Sequence, residues 1–179
     1  MTVQELSEIS NLSDAARALV QEGSTPSVYL DSLEKQLLFQ DAIRFLAHKL
    51  AIDAGVKWAG KCVRELRAPD RKEEKDEPLE AAEQWTKGPG DKTRWAAKEA
   101  ADKAKTTGAG SLVAMAVFFS GGSVAPAPAP PTEPPPYSAQ KMIAGSVLVA
   151  VLGHEPEKAT ERYQRALAMG KELDQTGKL

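Results

Sequence analysis

The 179-residue chain is poor in the residue types on which most metal and catalytic sites depend. It has one cysteine, Cys62, and two histidines, His48 and His154. A lone cysteine cannot form an internal disulfide, so nothing in the sequence requires an oxidising compartment. With no CxxC and no HxxxH spacing, we predict neither a metal site nor a bound cofactor.

An excess of charge of one sign is also missing. The chain has 23 Lys and Arg against 25 Asp and Glu, which gives a net charge of −2. A nucleic-acid-binding protein normally presents a broad basic face to the phosphates. The balanced charge therefore predicts no nucleic-acid partner.

Long hydrophobic runs are absent. A helix needs about 20 apolar residues to span a bilayer, whereas the longest apolar runs here, 112–119 and 142–152, are far shorter. The amino-terminal residues have neither the basic nor the apolar region of a signal peptide. We therefore expect a cytoplasmic protein without a membrane span, with a membrane hairpin built from the two runs as the alternative.

The motifs of common enzyme sites are missing as well. No G-x-S-x-G is present, and the glycines at 88–90 and 120–123 match no phosphate-binding pattern. His48 falls in the last turn of a predicted helix, His154 in a helix junction and Cys62 beside an apolar stripe, which favours packing or capping. We predict no catalytic residue. An enzyme whose unfamiliar site uses His48, Cys62 or scattered carboxylates is the alternative.

What the sequence does contain is helical periodicity, with apolar residues recurring at three- and four-residue spacings and no convincing strand alternation. We predict an all-α fold of nine helices in one domain, 13–174, arranged as stacked antiparallel hairpins or an irregular bundle. Residues 1–12 are expected to be loose or weakly helical, and 175–179 to form a tail. A charged loop is expected at 68–77, where a two-domain split is the alternative. The helices are predicted at 13–23, 26–37, 41–50, 53–67, 78–87, 92–105, 111–119, 138–152 and 156–174.

Two of these helices are expected to form the centre of the fold. The segments SLVAMAVFF (111–119) and KMIAGSVLVAVL (141–152) lack the polar stripe that a half-exposed helix carries, so each should be buried on most sides. Between them lies a proline-rich loop, 121–137, which favours extended polyproline geometry. We expect a stiff surface strap that joins two buried helices, with the other helices packed around them.

The proline-rich loop also supplies the candidates for partner binding. Pro131 and Pro134 belong to overlapping PxxP spacings, and Tyr137 follows them. Trp95 lies on an alanine-rich helix that buries little else, so we expect its ring to be partly exposed. We predict that Trp95, Pro131, Pro134 and Tyr137 contact another protein; the alternative is that the loop is only a connector.

Several segments resemble one protein family when they are taken together. They are DAIRFLAHKL (41–50), VKWAGKCVREL (56–66), AAEQW (81–85), FFSGGSVAP (118–126) and ERYQRALAMG (161–170). As a set they resemble an uncharacterised bacterial all-helical family, a domain of unknown function, over most of 13–174. The chain departs from the family pattern at Lys57, where an aromatic or apolar residue is expected, and in its charged insertion at 70–77.

Members of that family often occur with type VI secretion genes, so the resemblance implies an adaptor or chaperone-like accessory in effector delivery. Together with the missing catalytic motifs, this leads us to expect a non-enzymatic helical protein that binds another protein. The alternatives are an enzyme with an unrecognised site, a peripheral membrane protein that uses 112–119, and a toxin or immunity-type partner.

Overall fold

The computed structural model describes residues 1–68, 74–105 and 108–176. Within these ranges the chain forms ten α-helices, a short 3-10 helix and no strand, which confirms the all-α prediction. The helices are α1 (Val3–Ile9), α2 (Asp14–Arg17), α3 (Pro26–Lys35), α4 (Phe39–Lys49), α5 (Ile52–Glu65), α6 (Glu77–Lys87), α7 (Asp91–Lys103), α8 (Gly108–Phe118), α9 (Ser138–Leu152) and α10 (Ala159–Thr176), with the 3-10 helix at Pro156–Lys158. None of the helices in the described ranges is both long enough and apolar enough to cross a membrane.

The amino terminus, expected to be loose or weakly helical, forms a capped helix. Thr2 and Glu5 form a capping box, in which each side chain accepts a hydrogen bond from the other residue's backbone N–H. The helix that follows, α1, buries Val3 and Leu6. A reciprocal cap and two buried apolar side chains give this short segment a defined place in the fold.

The next predicted helix, 13–23, is much shorter in the structure. Ser13 caps α2 as predicted, since its side chain accepts a hydrogen bond from the Ala16 N–H. After Arg17 the chain tightens into single turns, and Gly23 adopts a φ of +75° before α3 begins. The predicted segment is therefore one helical turn and a loop.

α8 and α9 lie at the centre of the fold, as predicted. They pack most extensively against each other, α4 and α5 cover α9, and α6 and α7 cover α8. Val113 and Val117 of α8 and Ile143 and Val147 of α9 have essentially no solvent exposure. One hydrophobic core runs through the whole described chain, which excludes the alternative of two domains.

The helices around α8 and α9 do not cover this pair completely. Val149 and Leu152 of α9 are 43% and 50% exposed, and Leu112 and Met115 of α8 are only partly buried. The expectation of burial on most sides holds for α8, where no residue from Ala109 to Phe118 is exposed. It holds less well for α9, because Val149 and Leu152 are exposed near its end.

α10 closes the bundle against α4 and α5. The indole Nε1–H of Trp58 donates a 2.8 Å hydrogen bond to the Ala166 carbonyl. Phe39 and Tyr163 stack with ring centroids 5.5 Å apart. Trp58 and Trp85 are both buried, so of the three tryptophans only Trp95 is placed to meet a partner.

Part of the predicted charged loop, 69–73, and part of the predicted tail, 177–179, lie outside the described residues. In the remainder of the loop, Asp76 accepts a hydrogen bond from the Leu79 N–H and so caps α6. The same carboxylate pairs with Arg67 at 2.5 Å, and both side chains are mostly buried. The end of the charged segment is therefore bound to Arg67, just beyond the end of α5, and is not simply solvated.

Candidate partner-binding site

The proline-rich loop folds back on itself and does not run as an extended strap. The Val124 N–H donates a 2.8 Å hydrogen bond to the Thr132 carbonyl, and the Ala129 N–H donates a 2.9 Å bond to the Pro126 carbonyl. Polyproline geometry has no internal backbone hydrogen bonds. The predicted extended strap is therefore wrong here, because these backbone hydrogen bonds close the chain into a turn.

Ser123 ties the two arms of this turn together. Its hydroxyl oxygen accepts hydrogen bonds of 3.1 Å from the backbone N–H groups of Ala125 and Thr132. The hydroxyl itself donates to the Ala125 carbonyl. One short side chain thus satisfies backbone groups that the prolines around it leave without a partner.

Arg94 of α7 anchors the start of this turn through hydrogen bonds. Its guanidinium donates to the Phe118 carbonyl at 2.8 Å and to the Ser123 carbonyl at 2.7 Å. A third bond, 3.1 Å long, goes to the Asp91 carboxylate. The Arg94 side chain is only 4% exposed. The end of α8, the start of α7 and the proline-rich loop are therefore joined through one buried cation.

Gly122 allows the chain to pass close to this cation. Its φ is +65°, and a Cβ there would lie 3.0 Å from the Asp91 carboxylate and 3.1 Å from the Arg94 guanidinium. The role of Arg94 could not be predicted from its neighbours in the chain, because an Asp–Arg pair three residues apart is typical of an exposed helix face. The glycine pair in SGGS is the signal that could have indicated a close approach at this point.

Two of the four predicted partner-binding residues lie in one cleft. Trp95 and Pro131 line a cavity of about 380 Å³ between α7 and the proline-rich loop. Asp91, Arg94 and Pro126 line it as well. The Trp95 ring is half-buried, with its centroid 5.1 Å from that of Phe118 in an edge-to-face arrangement. One part of the indole is thus packed against Phe118, and the other part is exposed to solvent.

The other two predicted residues lie elsewhere. Pro134 lines an adjoining cavity of about 550 Å³, which shares Pro131 and Ser123 with the first. Tyr137 lies at the start of α9, with its ring centroid 5.9 Å from that of His48. Tyr137, with a φ of +59°, is the N-cap residue of α9 in the place where Ser138 was expected, and its side chain makes no capping hydrogen bond. Tyr137 is 40% exposed but does not line the cleft.

Both histidines donate hydrogen bonds to backbone carbonyls and so have structural roles. The Nδ1–H of His48 donates to the Arg44 carbonyl one turn earlier, at 2.9 Å. His48 is 4% exposed, and its Nε2 has no hydrogen-bond partner among the described residues. Burial lowers the pKa of His48. The Nε2–H of His154 donates to the Leu66 carbonyl at 2.9 Å, so His154 joins α5 to the turn that precedes α10.

The remaining candidate for nucleophilic chemistry is inside the core. Cys62 has no solvent exposure, and burial raises the pKa of its thiol. A thiol in these surroundings stays protonated and out of reach of a substrate. Across residues 1–68, 74–105 and 108–176, no group of three or more His, Cys, Asp and Glu side chains is placed to hold a metal ion.

A family model matches residues 29–174, and its description is "Family of unknown function (DUF6931)". The chain belongs to this family. The predicted resemblance to an uncharacterised family is thereby confirmed, whereas the link to type VI secretion stays a prediction. No curated protein and no solved structure matches the chain. Within this DUF6931 chain the matched range contains the whole cleft, while α1 and α2 lie before it.

Proposed function

We propose that this DUF6931 protein is a non-enzymatic interaction module, and that the cleft between α7 and the proline-rich loop receives a segment of another protein. One observation carries the proposal. Exposed prolines, from Pro126 to Pro131, belong to a turn whose Ser123 carbonyl accepts a hydrogen bond from the buried guanidinium of Arg94. An exposed apolar loop that is anchored this firmly is typical of a binding surface.

The anchoring has a thermodynamic consequence for binding. A flexible loop loses conformational entropy when a partner orders it, which costs about 1–2 kcal/mol for each residue fixed. The turn at 123–132 is already fixed by its own hydrogen bonds and by Ser123. Little of that cost then falls on the binding step, so a small contact area can still give useful affinity.

Trp95 supplies the anchor that such a small cleft needs. Tryptophan dominates the energetics of many interfaces because its ring buries a large apolar area with few rotatable bonds. The half-buried Trp95 ring is held by Phe118 and by the Arg94 guanidinium, whose carbon lies 5.5 Å from the ring centroid. The best-fitting partner segment presents an apolar or aromatic side chain to Trp95 and a hydrogen-bonding group to Asp91.

The biological setting follows from the resemblance alone. An adaptor or chaperone-like accessory of type VI effector delivery needs a rigid surface that recognises a peptide segment of an effector or a secretion component. The cleft supports that role in its size and chemistry. The family description assigns no activity to its members. The role in type VI effector delivery is therefore the narrower proposal, and the interaction module is the broader one.

Site-specific photocrosslinking in cells of the native host tests the proposal. A benzophenone amino acid at Ala129 or Pro131, both exposed, is expected to give one defined adduct with a host protein. The same probe at Gln36, exposed after α3, is the matched control and should not give that adduct. Trp95→Ala should strongly reduce the adduct from Ala129. The same products from all three positions, or none, would contradict the proposed site.

A further inference from the structure

The cleft at Trp95 and the adjoining cavity carry more negative than positive charge. Asp91 lines the cleft, and Glu133 lines the adjoining cavity. The Asp91 side chain is 77% exposed, and Glu133 is exposed as well. Among the residues that the structure describes, Arg94 is the only Lys or Arg that lines either space. Its buried guanidinium already donates to Asp91 and to two backbone carbonyls, so Arg94 has little to offer a partner.

Asp91 lies where the two spaces adjoin. Its Oδ1 is 3.0 Å from the position that a Cβ of Gly122 would take, and Gly122 lines the adjoining cavity. The contacts from Arg94 both reach Oδ1, and neither of them uses Oδ2. Because most of the Asp91 side chain is exposed, its carboxylate can accept further hydrogen bonds from a bound segment.

The proline-rich loop adds hydrogen-bond acceptors to this surface and few donors. Seven of the 14 residues from 123 to 136 are prolines, which have a backbone carbonyl but no N–H. The N–H groups of Val124, Ala125, Ala129 and Thr132 are already bonded within the turn. A partner that satisfies this surface therefore has to bring donors.

We propose that the segment received by the cleft carries an arginine beside an apolar residue, with the apolar side chain on Trp95 and the guanidinium between Asp91 and Glu133. This inference rests on the proposed function and adds the chemistry of the partner. Arginine fits better than lysine, because its planar guanidinium has five donors in fixed directions. Two of them can bond a carboxylate while others reach a backbone carbonyl.

The charges around Trp95 also orient the segment. A third cavity shares Trp95 alone with the cleft. It is lined by two lysines and two carboxylates, Lys92, Lys98, Glu99 and Asp102. Its charge is therefore balanced, whereas the cleft and the adjoining cavity together have two carboxylates and one buried cation. Since a cation favours the side with net negative charge, the arginine faces the proline-rich loop.

Selection of random peptides by phage display on the immobilised full-length chain tests the inference. The selected peptides are expected to share an arginine next to an aromatic or aliphatic residue and to bind more weakly as salt rises. Glu133→Gln combined with Asp91→Asn should weaken binding about tenfold or more. Glu133→Gln alone, which leaves the Arg94 bonds intact, should weaken binding by a smaller factor. Glu22→Gln, at an exposed carboxylate between α2 and α3, is the matched control and should leave binding unchanged.

A second pair of variants changes the charge without removing any hydrogen bond of the cleft. Ala129 is exposed and lines the cleft. Ala129→Lys should weaken binding of a selected peptide, whereas Ala129→Glu should strengthen it. Because the side chain is exposed, both variants should keep the Tm of the wild type, so an effect on folding does not explain opposite changes in affinity.

The outcomes separate this inference from the proposed function. Selected peptides that bind wild type and not Trp95→Ala, but lack arginine or ignore the charge variants, would overturn the inference and leave the proposed function in place. Lysine selected as often as arginine would overturn the choice of a guanidinium. Peptides that bind Trp95→Ala as tightly as wild type, or a selection that recovers no binding peptide, would contradict both.

Discussion

Gly170 lies where α10 crosses α4 and α5, at the tightest helix contact around Trp58. A Cβ at this position would lie 2.6 Å from Leu46 Cδ2 and 2.8 Å from Trp58 Cε2. The Trp58 ring cannot move aside easily, because its Nε1–H is bonded to the Ala166 carbonyl. Only glycine allows α10 to approach this closely, and with it the Ala166 carbonyl that satisfies the indole.

Gly170→Ala is therefore expected to lower the free energy of unfolding. Overpacking a core costs about 1–3 kcal/mol, whereas alanine in place of glycine gains about 1 kcal/mol of helix propensity. Urea unfolding followed by tryptophan fluorescence measures the balance. The matched control is Gly60→Ala in α5, where the new Cβ would lie at an ordinary 3.6 Å from Leu79 and should stabilise the protein. An equal gain in both variants would contradict the close approach.

His48 makes the stability of the fold depend on pH. Burial lowers its pKa below the ordinary 6.5, and the positive charge of nearby Lys141 acts in the same direction, while the bond to the Arg44 carbonyl opposes both. The unfolded chain thus binds a proton on this side chain at a pH where the folded chain does not. The stability that neutral His48 contributes is present above pH 6.5. It is lost as the pH falls from 6.5 through the lowered pKa of the folded state.

Replacing His48 with glutamine should flatten this part of the pH profile. Each proton bound only by the unfolded state changes the free energy of unfolding by at most about 1.4 kcal/mol per pH unit. Urea unfolding at pH 7 and pH 5 is expected to show a larger loss for wild type than for His48→Gln. Carboxylates titrate in both proteins, so the difference between them isolates His48. Equal losses would show that His48 is protonated in the folded state.

At the scale of elements, the sequence predicts most helices because their apolar spacing is a local property. α4, α5, α6 and α9 begin and end within a few residues of their predicted bounds. The missed helix, α1, had its own local signal in the Thr2–Glu5 capping-box spacing. The fold of the proline-rich loop had none, since the Arg94 bonds that fix it reach carbonyls 24 and 29 residues away. Periodicity describes neighbours in a helix and carries no information on such contacts.

The role of Arg94 can be tested by removing its donors. Arg94→Met keeps a long apolar stem but loses the bonds to the Phe118 and Ser123 carbonyls, and bonds that involve a charged group contribute about 1.5–3 kcal/mol each. We expect lower stability and, more specifically, faster hydrogen exchange at the Val124 and Thr132 amides. Mass spectrometry of deuterium uptake in the native state measures this effect directly.

A second arginine provides the control for that experiment. Arg165 pairs with Glu65 at 2.7 Å, but its side chain is 57% exposed. Exposed ion pairs contribute about 0–1 kcal/mol, so Arg165→Met should leave both stability and the exchange of the proline-rich loop nearly unchanged. Unaltered exchange at Val124 and Thr132 in Arg94→Met would mean that Ser123 alone fixes the loop.

At the scale of the whole molecule, the central position of α8 and α9 could be predicted, whereas the exposure of Val149 and Leu152 on α9 could not. A helix without a polar stripe indicates burial, but the sequence does not state how many neighbours are available to cover it. The candidate site was likewise predicted only in part. Trp95 and Pro131 were predicted separately, and the structure brings them to one cleft through Arg94. Composition identified the exposed residues, while the buried cation that positions them depends on tertiary contacts.

The single core also predicts how the molecule unfolds. α5, which precedes the charged segment at 70–77, packs against α6, α8 and α9, which follow it. With the core shared across that segment, neither side retains a complete core when the other unfolds. Three probes should therefore give the same urea midpoint: far-UV circular dichroism for all helices, tryptophan fluorescence for α5 to α7, and thiol labelling for the buried Cys62 of α5. If Cys62 became reactive in an earlier, separate transition, the residues before the charged segment would form an independent unit, and α8 and α9 would not be the common centre of the fold.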